Sequence, residues 1–339
     1  MTNGTCTVDS KDIRLTYDFV YKTEYNLVFQ NTEVHCISPR MIPCTIHLQL
    51  TGENELVFTE NTKIEGKQVI IDAPRSRIRI EDSSTLTTTG LSLNQNGTQH
   101  YYRDGAQFVG QGGACNDTHH NYTVFGNYNM MPNPHNLDHF LNQMGSMGRA
   151  NDAETAGGGR IVLLADSLSV TGWGLSLQSN ALPSEAEARA SEYEMVGGSG
   201  GYIYVKTMNE LQENDLSQGF RIEARGGYGT GKNFGGSGGV IVFDGGFELR
   251  PEQVSTAGGL AMKTEINHDG CGNGAAGTLF YAAQNKLLID NEHKLTTKKT
   301  VIKPVVASDG SATIADVVQL EGFAQVYIKS EDHFHLTIP

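Results

Sequence analysis

Apolar residues in this chain alternate with polar ones over short runs, the period of a half-buried strand rather than of a helix. In the first hundred residues the runs 25–37 (YNLVFQNTEVHCI), 45–73 and 76–93 follow each other with only the short segments 38–44 and 74–75 between them. Past Gly157 the pattern changes. Four glycine clusters each open directly onto a β-type run: GGGRIVLLA, GGSGGYIYVK, GGSGGVIVFD and GNGAAGTLFYA. The last glycine before each run is Gly159, Gly201, Gly239 and Gly277, at spacings of 42, 38 and 38. A second run follows within each period: LSVTGWGLSLQ (168–178), FRIEARGG (220–227), VSTAGG (254–259) and LLIDNEHKL (287–295). Strand-and-turn chemistry of this kind predicts short strands throughout. No helical stripe is evident, and 182–195 (LPSEAEARASEYEM) reads as a polar, solvated insertion.

A fixed period of this size signals a repeat architecture. One coil cannot bury its inner face, whereas stacked coils share a continuous core. The expected fold is therefore all-β, a parallel β-helix or other β-solenoid with glycine-rich loops stacked upon one another. Missing Cβ atoms would let those loop backbones approach closely. The expected organisation is N-terminal coils or a cap over 1–93, an irregular Asn- and His-rich excursion over 94–156, glycine-rich repeats over 157–300, and a last coil or cap over 301–339. Aromatic residues recur in the repeats. Those on strands predict an internal stack, whereas Tyr228 and Phe234 fall in loops and are candidates for exposed contact with a glycan or a protein.

The unit of Gly-Gly-x-Gly-Gly, strand, turn and a second strand ending in Ala-x-Gly-Gly is carried by 157–165, 197–206 with 221–227, 235–244 with 254–259, and 272–282. It resembles the glycine-rich, pectin-lyase-like repeats of large secreted and cell-surface proteins of bacteria and protists. That resemblance implies a right-handed parallel β-helix serving as a stalk or adhesin. It brings no catalytic motif with it.

Composition narrows the class. Glycine accounts for 40 of 339 residues, and 33 of them lie between Gly105 and Gly277. The net charge is −13 without a Lys/Arg cluster, which argues against nucleic acid and anionic membrane as partners. No apolar run reaches the roughly 18–20 residues of a membrane span. Of five cysteines, Cys36 and Cys44 flank a short segment and Cys115 and Cys271 each sit in a glycine-rich stretch, so both are candidate disulfide pairs that leave Cys6 over. N-glycosylation acceptors occur at Asn3, Asn96, Asn116 and Asn121. The first residues lack the apolar core of a signal peptide, which leaves a cytosolic chain or a processed piece of a secreted one, and the latter is the expectation.

Chemistry is sparse. Asp72, Asp166, Glu223, Asp244 and Asp290 lie beside strands at unequal offsets, as turn residues do. His119, His120, His135 and His139 crowd the irregular segment without a zincin Glu, and GTGKN (229–233) lacks the Ser/Thr of a phosphate loop. No catalytic residue, metal ligand or cofactor is therefore expected. The expected role is a non-enzymatic extracellular stalk, filament or adhesion segment. Its partners would be adjoining domains, other subunits by head-to-tail assembly, or glycans. A glycan-binding or polysaccharide-degrading β-helix and an intracellular scaffold are the alternatives.

Overall fold

A computed structural model of the chain describes residues 4–36, 44–92, 112–113, 145, 148–149, 154–191, 193–209, 211, 215–262, 268–302, 305–306 and 312–328. The fold is all-β with mostly parallel strands, as expected from the period-two runs. Up to residue 170 the chain visits three rows of strands in turn, and after it the second and third rows continue among the described residues. The first row holds β1 (Thr5–Asp9), β4 (Asn26–Gln30), β7 (Glu55–Thr59) and the second halves of β9 (Gln68–Ile80) and β13 (Arg160–Val170). The second row holds β2 (Ile13–Leu15), β5 (Glu33–Cys36), β8 (Lys63–Glu65), β10 (Ser84–Thr87), β14 (Leu175–Gln178), β16 (Arg221–Glu223) and β18 (Val254–Ser255). The third row holds β3 (Phe19–Thr23), β6 (Thr45–Leu50), the first halves of β9 and β13, then β15 (Tyr202–Thr207), β17 (Val240–Asp244) and β19 (Thr278–Tyr281).

The repeat read from the glycines is the strand register itself. Ile161 pairs with Ile203, Ile203 with Ile241 and Ile241 with Leu279, at the offsets of 42, 38 and 38. Upstream the same ladder continues through Val69 to Ile46. Val69 and Ile161 are direct partners although 92 positions apart, so the chain leaves the ladder near residue 92 and re-enters it one strand further on. Inward residues of all three rows meet in one buried cluster that includes Leu56, Ile78, Ile64, Leu86, Ile161 and Ile203. At about 25 cal/mol per Å² of apolar surface, each such side chain stabilises the fold by roughly 1.5–3 kcal/mol.

After β19 the stack closes differently. The strand β20 (Lys286–Asp290) turns back antiparallel to β19, and β24 (Val317–Glu321) then pairs with β20 in parallel. Short two-residue or three-residue pairs complete the structure: β11 (Gly148–Arg149) with β12 (Glu154–Thr155), β21 (Thr300–Ile302) with β25 (Val326–Ile328), and β22 (Val305–Val306) with β23 (Ala312–Thr313). The insertion read as polar contains the helix α1 (Glu185–Ala190), which is capped by Ser184 and Glu187 and buries only Ala188.

Glycine-rich arms link the second row to the third. An outgoing arm leaves β14 at 179–183, β16 at 224–229 and β18 at 256–261, and returning arms run over 156–159, 197–201, 234–239 and 272–277. Their hydrogen bonds repeat every three residues. Gly197 and Gly200 donate to Phe234 and Ser237 of the next returning arm at 3.0 and 2.9 Å, whereas Gly198 and Gly201 donate to Leu182 and Ser179 of their own outgoing arm at 2.9 and 2.8 Å. One coil on, Gly235 and Gly238 donate to Gly272 and Ala275, and Gly236 and Gly239 to Gly227 and Ala224. A three-residue period without internal bonds is that of a polyproline-II helix. The arms therefore form a lateral bundle of such helices, in which two of every three positions face a neighbouring backbone.

The aromatic residues of the third row do not form one internal stack. Phe243 and Tyr281 point inward, with ring centroids 6.4 Å apart, but Tyr202, Tyr204 and Phe280 point to the other face. There they join Leu287, Ile289 and Ile302 in a second buried cluster. Alternation along the strand dictates this split, because Tyr202 and Tyr204 flank inward-facing Ile203.

Candidate functional site

The two ends of the stack differ in chemistry. At the N-terminal end, β1, β2 and β3 each have a partner on one side only among the described residues. Inside them lies a cavity of about 200 Å³, with Cys6, Val8, Ile13, Leu15, Phe19 and Tyr21 around it and the core residues of the next coil as its floor. Tyr17, Val20 and Tyr25 stand on the surface of this coil at 80%, 65% and 58% exposure. Cys6 is a free thiol. The Tyr21 hydroxyl donates to its sulfur at 3.6 Å, and that contact together with burial pushes the phenol above its ordinary pKa. An unpaired edge beside an open apolar interior is a template for a further strand.

At the other end a cavity of about 130 Å³ is bordered by Glu248, Lys286, Asp290, Glu292, Gln319 and Glu321 beside Leu249, Tyr281 and Leu288. Lys286 Nζ lies 2.7 Å from Glu248. The neighbouring turn holds Glu292 and His293 in the left-handed region, at φ 50° and 59°, a conformation that is strained for such residues. This turn aims Glu292 at the outgoing arm. Ser255 Oγ donates to the Glu292 carboxylate, Arg225 Nε donates to Ser255 Oγ at 2.7 Å, and Lys294 Nζ lies 3.5 Å from Glu292. Burial raises the Glu292 pKa, but the Ser255 hydrogen bond and the Lys294 and Arg225 charges outweigh it and hold the carboxyl below its usual range. The cluster ties the closing turn to the arm.

The expectation of exposed rings at Tyr228 and Phe234 is corrected: both are buried, each at 8% exposure. Lys294 Nζ sits 5.9 Å from the Tyr228 ring centroid, and the Tyr228 hydroxyl donates to Glu185 at 3.2 Å. Burial, with Glu185 beside it, pushes the phenol up to about 12. These residues belong to glycine-rich arms that stack into the molecule, so being in a loop did not place them at the surface.

The acidic residues beside strands are dispersed among separate partners. Asp244 pairs with Lys206 at 3.0 Å across adjacent coils, Asp166 accepts from Asn209 at 2.9 Å, and Glu223 accepts from Asn180 at 3.1 Å. Asp72 accepts from Gln49 at 3.0 Å and Asp290 from the Glu292 backbone at 2.7 Å. Among the described residues no three His, Cys, Asp or Glu side chains converge as metal ligands. Cys36 and Cys44 form a disulfide with Cα atoms 5.1 Å apart, and Cys271 is disulfide-bonded. Cys115, the acceptors Asn3, Asn96, Asn116 and Asn121, and the four histidines between 119 and 139 lie outside the described residues. No helix among the described residues is long and apolar enough to cross a membrane.

Two polar features escaped the sequence reading. On the second row His35 Nδ1 lies 2.6 Å from Glu65, which Lys63 also contacts at 3.1 Å. Burial raises the Glu65 pKa, and these hydrogen bonds bring it net below the usual value. Arg160 is 4% exposed, and its Nη2 donates to Gln68 at 2.8 Å. Its burial lowers the guanidinium pKa to about 10. The one signal for it was an Arg opening an otherwise apolar run, RIVLLA.

Compared with protein-family models, with curated proteins and with solved structures, the chain matches none of the three.

Proposed function

We propose that this chain is a non-enzymatic structural module, a right-handed parallel β-helix that acts as a rigid stalk or adhesion segment outside the cell. The observation that carries the reading is the aliphatic ladder Ile46–Val69–Ile161–Ile203–Ile241–Leu279, whose partners pair in register across coils of unequal length. Selection for stacking, rather than for a pocket, explains why loops vary in length while the inward positions keep their place. A right hand is supported by the general preference of parallel crossovers for that hand. The extracellular setting is supported by the disulfide-bonded cysteines, since such bonds persist in oxidising compartments.

The experiment is intact mass of the natively sourced protein before and after reduction with alkylation and N-deglycosylation. Disulfides together with glycan mass on Asn96, Asn116 or Asn121 are expected. Five free thiols without glycan would overturn the extracellular stalk.

A further inference from the structure

We infer that the outer face of the first row is a binding groove for a neutral oligosaccharide, with Trp173 as an aromatic platform at one end. The inference deepens the adhesive reading by naming what is held, and it rests on that reading's stacked coils. The groove encloses about 480 Å³ on the side of the stack. Its central strands β4, β7 and the second half of β9 each have a strand on both sides, so the site depends on neither end. Val28 and Val57, partners across β4 and β7, form an apolar floor, and Arg79 continues that line on β9. Asn26 and Glu55 stand along one edge of the floor, Gln30 and Thr59 along the other. Four strands at about 4.8 Å spacing give a length of about 14 Å, which suits a short oligosaccharide rather than a single sugar.

Trp173, the one tryptophan of the chain, is 82% exposed on the next coil. Its turn is pinned to the turn of the preceding coil. Thr171 N donates to the Ile80 carbonyl at 2.8 Å, and the Gly174 carbonyl accepts from Ser84 N at 3.0 Å. Gly172, at φ 64°, lies so close that a Cβ there would stand 2.8 Å from the Glu81 carbonyl oxygen. Glu81 and Asp82 of that preceding turn border the groove, so the indole is carried at its end on a fixed backbone. A pyranose ring offers an apolar C–H face to an indole, and hydroxyls to planar amide, carboxylate and guanidinium groups. The charges of the lining are already paired. Arg79 Nε lies 3.1 Å from Glu55 and its Nη1 2.5 Å from Glu81, while Gln30 Nε2 donates to Glu60 at 3.1 Å. Groups held this way keep their directions and present their remaining lone pairs and N–H to a ligand's hydroxyls. Four carboxylates against one guanidinium repel an acidic glycan, and carboxylates already paired attract a basic peptide only weakly. A neutral sugar is what remains.

The test is titration of the full chain with neutral tetrasaccharides of glucose, mannose, galactose, xylose and N-acetylglucosamine. Tetragalacturonate and tetralysine serve as charged controls, calorimetry and Trp173 emission are the readouts, and circular dichroism is taken on every sample. At least one neutral tetrasaccharide is expected to bind and to shift the emission, with an affinity that salt leaves unchanged. Trp173→Ala and, separately, Gln30→Ala are expected to keep the β-type spectrum. Each raises the dissociation constant of that sugar at least about tenfold in calorimetry. No binding of any neutral tetrasaccharide, binding indifferent to both substitutions, or binding of tetragalacturonate or tetralysine alone overturns the groove. An intact β spectrum without bound sugar leaves the structural module standing. A spectrum without β structure in the wild type removes the stacking and the groove together.

Discussion

Gly238 and Ala276 hold the same place in consecutive returning arms, yet only Ala276 tolerates a Cβ. A Cβ at 238 would lie 1.8 Å from the Thr256 carbonyl oxygen and 2.4 Å from the Gly277 nitrogen, both in the next coil. Among the described residues no further glycine-rich arm stacks beyond 276, so a methyl fits there, packed in the second apolar cluster. Gly238→Ala is therefore expected to destabilise by about 3 kcal/mol or more, because the obstacle is backbone on two sides. Ala276→Gly should lose only about 1 kcal/mol, through backbone entropy and one methyl. Urea unfolding of the pair measures the contrast, and equal losses would refute the stacked-arm account. Titration is argued at the same scale. Glu65 and Glu292 are both held below their ordinary pKa in the fold. Depressed carboxylates contribute stability above their unfolded pKa of roughly 4.5 and lose it as pH falls through the lower, folded value. Stability should accordingly drop below about pH 4.5, and Glu65→Gln with Glu292→Gln should lower stability at pH 7 while flattening that acid slope.

Among elements, the strands were legible and the arms were not. Alternation in runs such as TIHLQL (45–50) and RIRI (77–80) settles which side chains face inward, because only one parity is apolar. Arms such as GGSGG carry no such alternation. Their three-residue hydrogen-bond period exists only once neighbouring arms are in place, since a polyproline-II helix makes no bonds within itself. Tyr228 and Phe234 were misplaced for that reason. The corner between β5 and β6 was readable from its two cysteines. The Cys36–Cys44 bond closes a loop with a sequence separation of 8. In the chain-entropy view, so short a loop is worth about 2.5 kcal/mol. Replacing both by Ser should lower the urea-unfolding free energy by about that amount; no change would show that the strands alone hold the corner.

Across the described residues, the ladder gives each inner strand of a row two neighbours and β1, β2 and β3 one. Amide exchange should follow that count. Amides of β13, β15 and β17 are expected to exchange only through global unfolding, and those of β1 through local opening of the end coil. Mass-detected hydrogen exchange reads this directly, and equal protection at β1 in a monomeric chain would contradict it. The two ends also separate what each level of description supplies. A coil's inner face is apolar whether or not anything lies above it, so the need for a covering layer is written in the alternation of Cys6, Val8, Ile13 and Leu15. Which end receives a polar closure is not. That depends on β20 turning back across β19 and on Glu292 reaching Ser255 from a turn 37 residues away, contacts between segments with no local pattern in common. The sequence by itself determined the strands, the 38-residue register and the Cys36–Cys44 corner, because each follows from neighbours in the chain. Tertiary structure alone decided the lateral bonding of the arms, the burial of Tyr228, Phe234 and Arg160, and the polar closure of one end, because each depends on backbone brought alongside from another coil.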